Sequence, residues 1–137
     1  MSVPSSRDAD ARFWQALGEG HLEMPRCAGC GTWHFPAVTR CGECGAWEQQ
    51  WQQVPARGTI FSWTRSWHGF GGSESIDLPY VSVVVELEEA GGLRLMGLLD
   101  GAGADTAVAI GAPVVGQVGS VSYGDRDVAT IKWRLAA

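Results

Sequence analysis

Hydrophobic and polar positions alternate along much of the chain after residue 54, and this period of two predicts β-strands. The first predicted strand places Phe61, Trp63, Arg65 and Trp67 on one face, opposite Ile60. The second has a continuous row of buried aliphatic positions, namely Val81, Val83, Val85 and Leu87. Five strands are predicted, at residues 59–67, 80–88, 93–99, 113–123 and 128–135.

The connections between these strands indicate how the sheet closes. We expect a Gly- and Ser-rich loop at 69–79, a hairpin turn at 89–92 and a longer connector at 100–112 with room for one helical turn. Gly116 and Gly119 predict bends or bulges in the fourth strand. Five strands with one long connector before the fourth match a Greek-key barrel of the OB type.

The region before residue 54 has a different pattern. Residues 6–17 predict a short helix with Phe13, Trp14 and Leu17 as its apolar stripe. We therefore predict a mainly β protein in three segments. The first is an N-terminal helical segment at 1–20. The second, at 21–53, contains four cysteines in two C-x-x-C pairs, which predict a rubredoxin-like zinc ribbon, and the third is a five-stranded OB-fold barrel at 54–137. We predict no internal repeat.

Composition narrows the class of protein. Hydrophobic residues make up 45% of the 137 residues and charged residues 18%, as in folded globular proteins. Acidic residues outnumber basic ones by 15 to 10, and this net charge of −5 argues against a nucleic-acid backbone as the main partner. There is no apolar run of about 18 residues and no apolar stretch near the start, so we expect a cytoplasmic protein without a membrane partner.

The four cysteines form two C-x-x-C pairs, Cys27 with Cys30 and Cys41 with Cys44. A tetrahedral Zn²⁺ requires four thiolates that converge on one point, and two such tight turns supply them. A glycine follows each pair and allows positive φ, so that backbone N–H groups can point at the sulfurs. The sequence predicts a structural zinc site, because four protein ligands leave no position for water or substrate.

Other uses of these cysteines remain open at this stage. Disulfides are disfavoured in a reducing compartment and strained within a C-x-x-C loop. A redox dithiol requires only one pair within a βαβ unit. Iron bound as in rubredoxin uses similar turns. His34 lies between the two pairs, and we expect it to be an exposed polar residue rather than a ligand.

No motif for independent catalysis is present in the sequence. The chain has no G-x-S-x-G element and no phosphate loop ending in GK[ST]. His68 follows the first barrel strand, beside the Gly-rich loop, in the region where OB folds bind ligands. We therefore expect no catalytic residues in this chain.

A family resemblance is carried by six short segments, at residues 13–22, 25–31, 35–36, 41–45, 58–64 and 79–81. In this order they resemble the acyl-CoA-associated zinc-ribbon and OB-fold proteins, formerly a domain of unknown function. The resemblance implies an accessory subunit that binds a thiolase-like, aldolase or hydratase enzyme and helps form the channel for its acyl-CoA substrate. It also implies that the partner supplies the catalytic residues.

The first barrel strand and the loop after it carry the side chains suited to that role. Aromatic rings can stack on the adenine of CoA or anchor a protein contact, and arginines can bind its phosphates. The tentative ligand- or partner-binding residues are Trp63, Arg65, Trp67, His68 and Phe70, with Arg57 nearby. Two alternative functions are a nucleic-acid-binding zinc-ribbon/OB module and a rubredoxin-like iron electron carrier.

Overall fold

The computed structural model describes residues 8–136, apart from the side chain of Tyr123. One helix precedes seven strands, and a short 3₁₀ turn, Glu88–Ala90, lies between the fourth and fifth strands. The elements are α1 (Ala11–Gly18), β1 (Glu23–Cys27), β2 (Gln49–Gln53), β3 (Arg57–Ser66), β4 (Tyr80–Leu87), β5 (Leu93–Leu99), β6 (Pro113–Tyr123) and β7 (Arg126–Leu135). The predicted mainly β architecture is confirmed. Among residues 8–136, no helix is long and apolar enough to cross a lipid bilayer.

The five strands β3 to β7 form a closed barrel in the order β3-β4-β5-β7-β6. All neighbours are antiparallel except β5 and β7, which pair in parallel at Leu98 with Lys132 and at Leu99 with Trp133. Parallel neighbours need a long crossover between them. The connector at 100–112 and strand β6 together form this crossover between β5 and β7. No helical turn forms in the connector, contrary to that expectation.

Strict alternation fails in β3. Ile60 pairs with Val85 and Ser62 pairs with Val84, so Phe61 is an extra residue in a β-bulge. The bulge shifts the alternation by one residue, so the side chains after it point to the opposite face from that expected for a regular strand. Trp63 therefore lies on the core side, where it pairs with buried Val83. Phe61 is exposed instead, so the prediction that it shares a face with Trp63 is wrong. The cause is the register shift, which a sequence pattern alone does not reveal.

Two glycines of the barrel make room for the completely buried Trp133. A Cβ atom at Gly97 would lie 2.8 Å from the indole ring, and one at Gly116 would lie 2.9 Å from it. The pairing of β6 with β7 is uninterrupted from Val114 to Tyr123, so no bulge occurs at Gly116 or Gly119. Gly116 therefore provides close packing rather than a bulge.

The helix and the ribbon share one core with the barrel. Phe13 and Leu17 of α1, and Met24 of β1, belong to the same buried cluster as the barrel valines. Phe13 also contacts Phe35 of the ribbon, with ring centroids 5.3 Å apart. The predicted helix at 6–17 begins at Ala11 in the structure, and residues 6 and 7 lie outside the described residues. The barrel alone therefore does not account for the whole hydrophobic core.

A buried carboxylate joins α1 to the start of the ribbon. Glu23 accepts hydrogen bonds from Arg12, one of them from Nε to Oε1 at 2.9 Å, and its Oε2 lies 2.6 Å from Nε2 of His21. The Arg12 hydrogen bonds hold the pKa of Glu23 below its ordinary value, with a smaller contribution from His21, although burial acts in the opposite direction. Glu23 therefore remains ionised where the helix meets β1.

Substitution of Gly97 by Ala is expected to destabilise the barrel, because the added Cβ would contact Trp133 and lie 2.9 Å from the carbonyl oxygen of Ile131. We expect a loss of about 1–3 kcal/mol in the free energy of unfolding, measured by urea denaturation. Gly103 is the matched control, since a Cβ there meets nothing within 4 Å. Equal stabilities of Gly97→Ala and Gly103→Ala would contradict the packing role.

Substitution of Glu23 by Gln is expected to cost about 1–3 kcal/mol at pH 7. Because the folded-state pKa of Glu23 is lowered, its contribution is present above the ordinary value of 4.5 and is lost as the pH falls through the folded-state value. The stability gap between wild type and Glu23→Gln should therefore narrow below about pH 4.5 in denaturation curves. Exposed Glu19→Gln serves as control, and a gap independent of pH would disprove the linkage.

Candidate functional site

The sulfur atoms of Cys27, Cys30, Cys41 and Cys44 lie within 4.8 Å of one another. Cys27 Sγ is 3.5 Å from Cys44 Sγ, and Cys30 Sγ is 3.7 Å from Cys41 Sγ. A tetrahedron of sulfurs about 2.3 Å from a central Zn²⁺ has edges of about 3.8 Å. All four cysteines are free thiols. The arrangement fits one tetrahedral metal ion and, with four protein ligands, no open coordination position.

Backbone N–H groups approach the sulfurs as the glycine spacing predicts. The N–H of Gly29 lies 3.3 Å from Cys27 Sγ, and that of Glu43 lies 3.4 Å from Cys41 Sγ. Gly31 has φ +79° and Gly45 has φ +80°, a region that L side chains rarely adopt. These contacts place partial positive charge against the thiolates.

The two metal-binding turns are copies of one motif, so the expectation of no internal repeat is wrong. The first knuckle, residues 26–33, and the second knuckle, residues 40–47, both have the pattern R-C-x-x-C-G-x-W. In the first, Arg26 Nε donates to the Gly31 carbonyl at 2.8 Å and its guanidinium lies 5.1 Å from the Trp33 ring.

The second knuckle reproduces this arrangement closely. Arg40 Nε donates to the Gly45 carbonyl at 3.0 Å, and its guanidinium lies 5.0 Å from the Trp47 ring. The repeat spans only eight residues and its two copies are 14 positions apart, so it is visible in the sequence once the arginines and tryptophans are aligned with the cysteines.

The electrostatics of the cluster favour a bound cation. The hydroxyl and N–H of Thr32 lower the pKa of the Cys30 thiol to about 6. The N–H of Ala46 lowers the pKa of Cys44, but Cys27, burial, Cys30 and Cys41 together raise it to about 12. Without a cation, the four sulfurs therefore cannot all be ionised at neutral pH.

His34 is not an exposed polar residue, contrary to the prediction. It is half-buried, and its Nε2 lies 3.3 Å from Cys41 Sγ. An imidazole N–H in this position can donate to a thiolate and support the ligand without replacing it. The sequence signal was its location between the two C-x-x-C pairs.

The predicted binding residues divide into two groups. Trp63 packs against the core, and Arg65 lies 5.3 Å above its ring. Arg65 donates to the Thr106 carbonyl, while its buried Nε has no partner among the described residues. These two side chains attach the 100–112 connector to the barrel. Arg57, the neighbouring candidate, pairs with Glu89 at 2.6 Å.

The other three predicted residues lie in the loop between β3 and β4. Trp67 and Phe70 are 65% and 59% exposed, and the ring of His68 meets that of Phe70 edge-on at 5.0 Å. Leu78 is also exposed and lies near Gly69. We call Trp67, His68, Phe70 and Leu78 the loop patch.

A groove of about 600 Å³ lies beside this loop, and the sequence analysis did not identify it. Its lining comes from residues 75–80, 98–103, 120–122 and Lys132, the only lysine of the chain. The β3–β4 loop and strands β4 and β5 are the region where OB folds bind ligands. None of the five predicted binding residues lines the groove. The only lysine of the sequence, Lys132 in the last strand, was the one sequence feature that could have pointed to this groove.

The fold and the cysteine cluster define the class of protein: a zinc ribbon joined to an OB-fold barrel. Two family models match, the rubredoxin-like zinc ribbon domain of ChsH2 over residues 14–48 and the C-terminal OB-fold domain of ChsH2 over residues 51–118. The chain belongs to the ChsH2 family, and this confirms the family resemblance drawn from the sequence.

Two solved structures are similar over nearly the whole chain. A chain of the Ltp2-ChsH2(DUF35) aldolase has 27% identity and a TM-score of 0.80, with 98% of this chain and 99% of that chain covered. A DUF35-family protein of unknown function from Sulfolobus solfataricus has 16% identity and a TM-score of 0.60, with 95% and 87% covered, and shares the fold. No curated protein matches the chain.

Cys27→Ser and Cys44→Ser are expected to lose the bound metal ion and to unfold or become insoluble, because metal binding supplies about 10 kcal/mol or more of folding free energy in such small units. Metal content per chain and thermal melting measure this. His34→Ala is the control and should keep one metal ion per chain. A Cys27→Ser variant that melts like wild type would disprove the structural role of the metal.

Proposed function

We propose that this protein is an accessory subunit that binds an aldolase-type enzyme and contributes to its acyl-CoA site. The observation that carries the proposal is the near-complete similarity to one chain of the Ltp2-ChsH2(DUF35) aldolase, with 98% of this chain covered at a TM-score of 0.80. An aldolase is preferred over a thiolase-like or hydratase partner because that solved complex is an aldolase.

The four-cysteine cluster is proposed to hold one structural Zn²⁺. Two observations support this: the sulfur separations of 3.5 and 3.7 Å, and the match to a zinc ribbon model. Zn²⁺ would fix the relative positions of the two knuckles and, being bound by four protein ligands, would perform no chemistry. A ribbon with four thiolates is compatible with the reducing cytoplasm, which is our proposed location. Iron in its place would give a coloured protein.

The groove is proposed to take the pantetheine arm of the acyl-CoA substrate. Its volume of about 600 Å³ is within the range of small-molecule sites. The arm is uncharged and contains two amide groups, so it needs both acceptors and donors. Asp77 and Asp100 offer carboxylate acceptors in the groove, and Lys132 offers an ammonium donor.

The loop patch is proposed to contact the partner or the adenine of CoA. Its aromatic rings are exposed next to the groove, and base-on-aromatic stacking contributes about 1–3 kcal/mol per base. A net charge of −5 does not prevent this, because stacking requires no basic surface. Trp63 and Arg65 would contribute indirectly, without contacting the ligand. They hold the 100–112 connector, whose first residues line the groove.

Catalysis is assigned to the partner subunit. The resemblance to the family implies this division, and the sequence contains no recognised nucleophile or phosphate-loop motif. The protein would then raise the partner's activity by completing its substrate channel rather than by transferring a proton or forming a covalent intermediate.

Co-expression with a tagged Ltp2-type aldolase from the same organism tests the proposal. We expect the two chains to co-elute in size-exclusion chromatography and the aldolase to cleave its acyl-CoA substrate faster in the complex than alone. Separate elution with unchanged activity would disprove the partnership. Turnover by this chain alone would disprove the accessory role, and salt-sensitive binding of single-stranded oligonucleotides would instead favour the nucleic-acid module.

A further inference from the structure

A second, smaller cavity of about 180 Å³ adjoins the groove. Asp100 and Lys132 line both cavities, so the two meet at these residues. The rest of the smaller cavity is lined by residues that do not border the groove, namely Gln117, Val118, Gly119 and Arg134. The groove therefore continues into a compartment with two basic side chains, Lys132 where the cavities meet and Arg134 beyond it.

The strand pairing fixes where these two basic residues lie. Lys132 and Arg134 are two positions apart in β7, and residues so spaced project from the same face of a strand. Trp133 between them is completely buried, so this face is the outer face of the barrel. Gln117 pairs with Lys132 from β6, and the N–H of Asp100 donates to the Trp133 carbonyl at 2.7 Å. The backbone thus holds all four cavity residues in place.

Neither of the two cations is used by the fold. Six other described arginines donate to a carboxylate or a carbonyl, namely Arg12, Arg26, Arg40, Arg57, Arg65 and Arg94. Within residues 8–136, Lys132, Arg134 and Arg126 make no hydrogen bond, ion pair or ring contact. Two of these three unpaired cations therefore line one cavity, in a chain whose net charge is −5.

The charges and donors of the smaller cavity suit a phosphate group. Lys132 and Arg134 oppose the single carboxylate of Asp100, which leaves one excess positive charge. A guanidinium can donate to two phosphate oxygens at once, and an ammonium attracts them as a point charge. The amide of Gln117 adds an uncharged donor. Because an ammonium has three donors, Lys132 can also serve a ligand in the groove.

We propose that the smaller cavity binds the diphosphate of CoA, with Arg134 and Lys132 as its cationic ligands. This inference rests on the proposed function, which assigns the groove to the pantetheine arm. The diphosphate is the part of CoA joined directly to that arm, and the smaller cavity is joined directly to the groove through Lys132 and Asp100. The connectivity of the ligand and that of the two cavities therefore agree.

Isothermal titration calorimetry tests this on the complex of the zinc-loaded chain with its Ltp2-type aldolase. The ligands are CoA, 3′-dephospho-CoA, which retains the diphosphate, and pantetheine, which has no phosphate. For Arg134→Gln we expect about 10-fold weaker binding of both CoA and 3′-dephospho-CoA, with unchanged binding of pantetheine. Melting of the variant should equal that of wild type, because Arg134 has no partner among the described residues.

Arg126→Gln is the matched control. Arg126 lies in the same strand, is exposed and unpaired among the described residues, and lines neither cavity. Its substitution removes the same charge from the chain, so it reports any effect of net charge alone. We expect the affinity of all three ligands to be unchanged. An equal loss of CoA affinity in Arg126→Gln and Arg134→Gln would overturn the assignment to the smaller cavity.

The remaining outcomes separate this inference from the proposed function. If the wild-type complex binds CoA and Arg134→Gln binds it equally well, the diphosphate site is wrong while the proposed function stands. If Arg134→Gln weakens CoA but not 3′-dephospho-CoA, Arg134 contacts the 3′-phosphate and the diphosphate assignment is overturned. If no complex forms, or if the complex does not bind CoA, the proposed function fails and this inference fails with it.

Discussion

Four sulfur atoms within 4.8 Å of one another repel each other once they are ionised, and the ribbon therefore depends on a cation at their centre. That convergence sets the geometry of both knuckles, in which a positive-φ glycine offers its carbonyl to an arginine stacked on a tryptophan. Because Trp33 of the first knuckle packs at Gly91, the metal cluster also determines where the ribbon meets the barrel. The geometry of the four-cysteine cluster thus sets the position of the ribbon relative to the barrel.

The barrel depends on a second constraint, the burial of one large ring. Trp133 lies in the last strand, fully enclosed, and glycines in two neighbouring strands leave the space that its indole fills. The N-terminal helix completes the same core from outside the barrel, and Glu23 ties that helix to the ribbon through Arg12. Hydrophobic burial and one partly buried ion pair therefore join the helix, the ribbon and the barrel.

These constraints leave three surfaces available for function, and each has a different chemistry. The groove combines carboxylates with Lys132, the loop patch is aromatic, and the second knuckle displays Trp47 with Arg40. A subunit that positions a substrate and a partner has a use for all three, which is why membership of the ChsH2 family and the described geometry lead to the same proposed role.

The sequence by itself determined the metal cluster, the helix-ribbon-barrel order, the five barrel strands and the buried face of β4, because cysteine spacing and period-two burial are local properties. It also contains the repeated knuckle, which is visible only when the arginines and tryptophans are aligned with the cysteines. Only the tertiary structure decided the bulge at Phe61, the space that Gly116 leaves for Trp133, the contact of His34 with Cys41 and the groove. Each of these joins residues that are remote along the chain or shifts a register, and such relations arise only when strands and loops pack against one another.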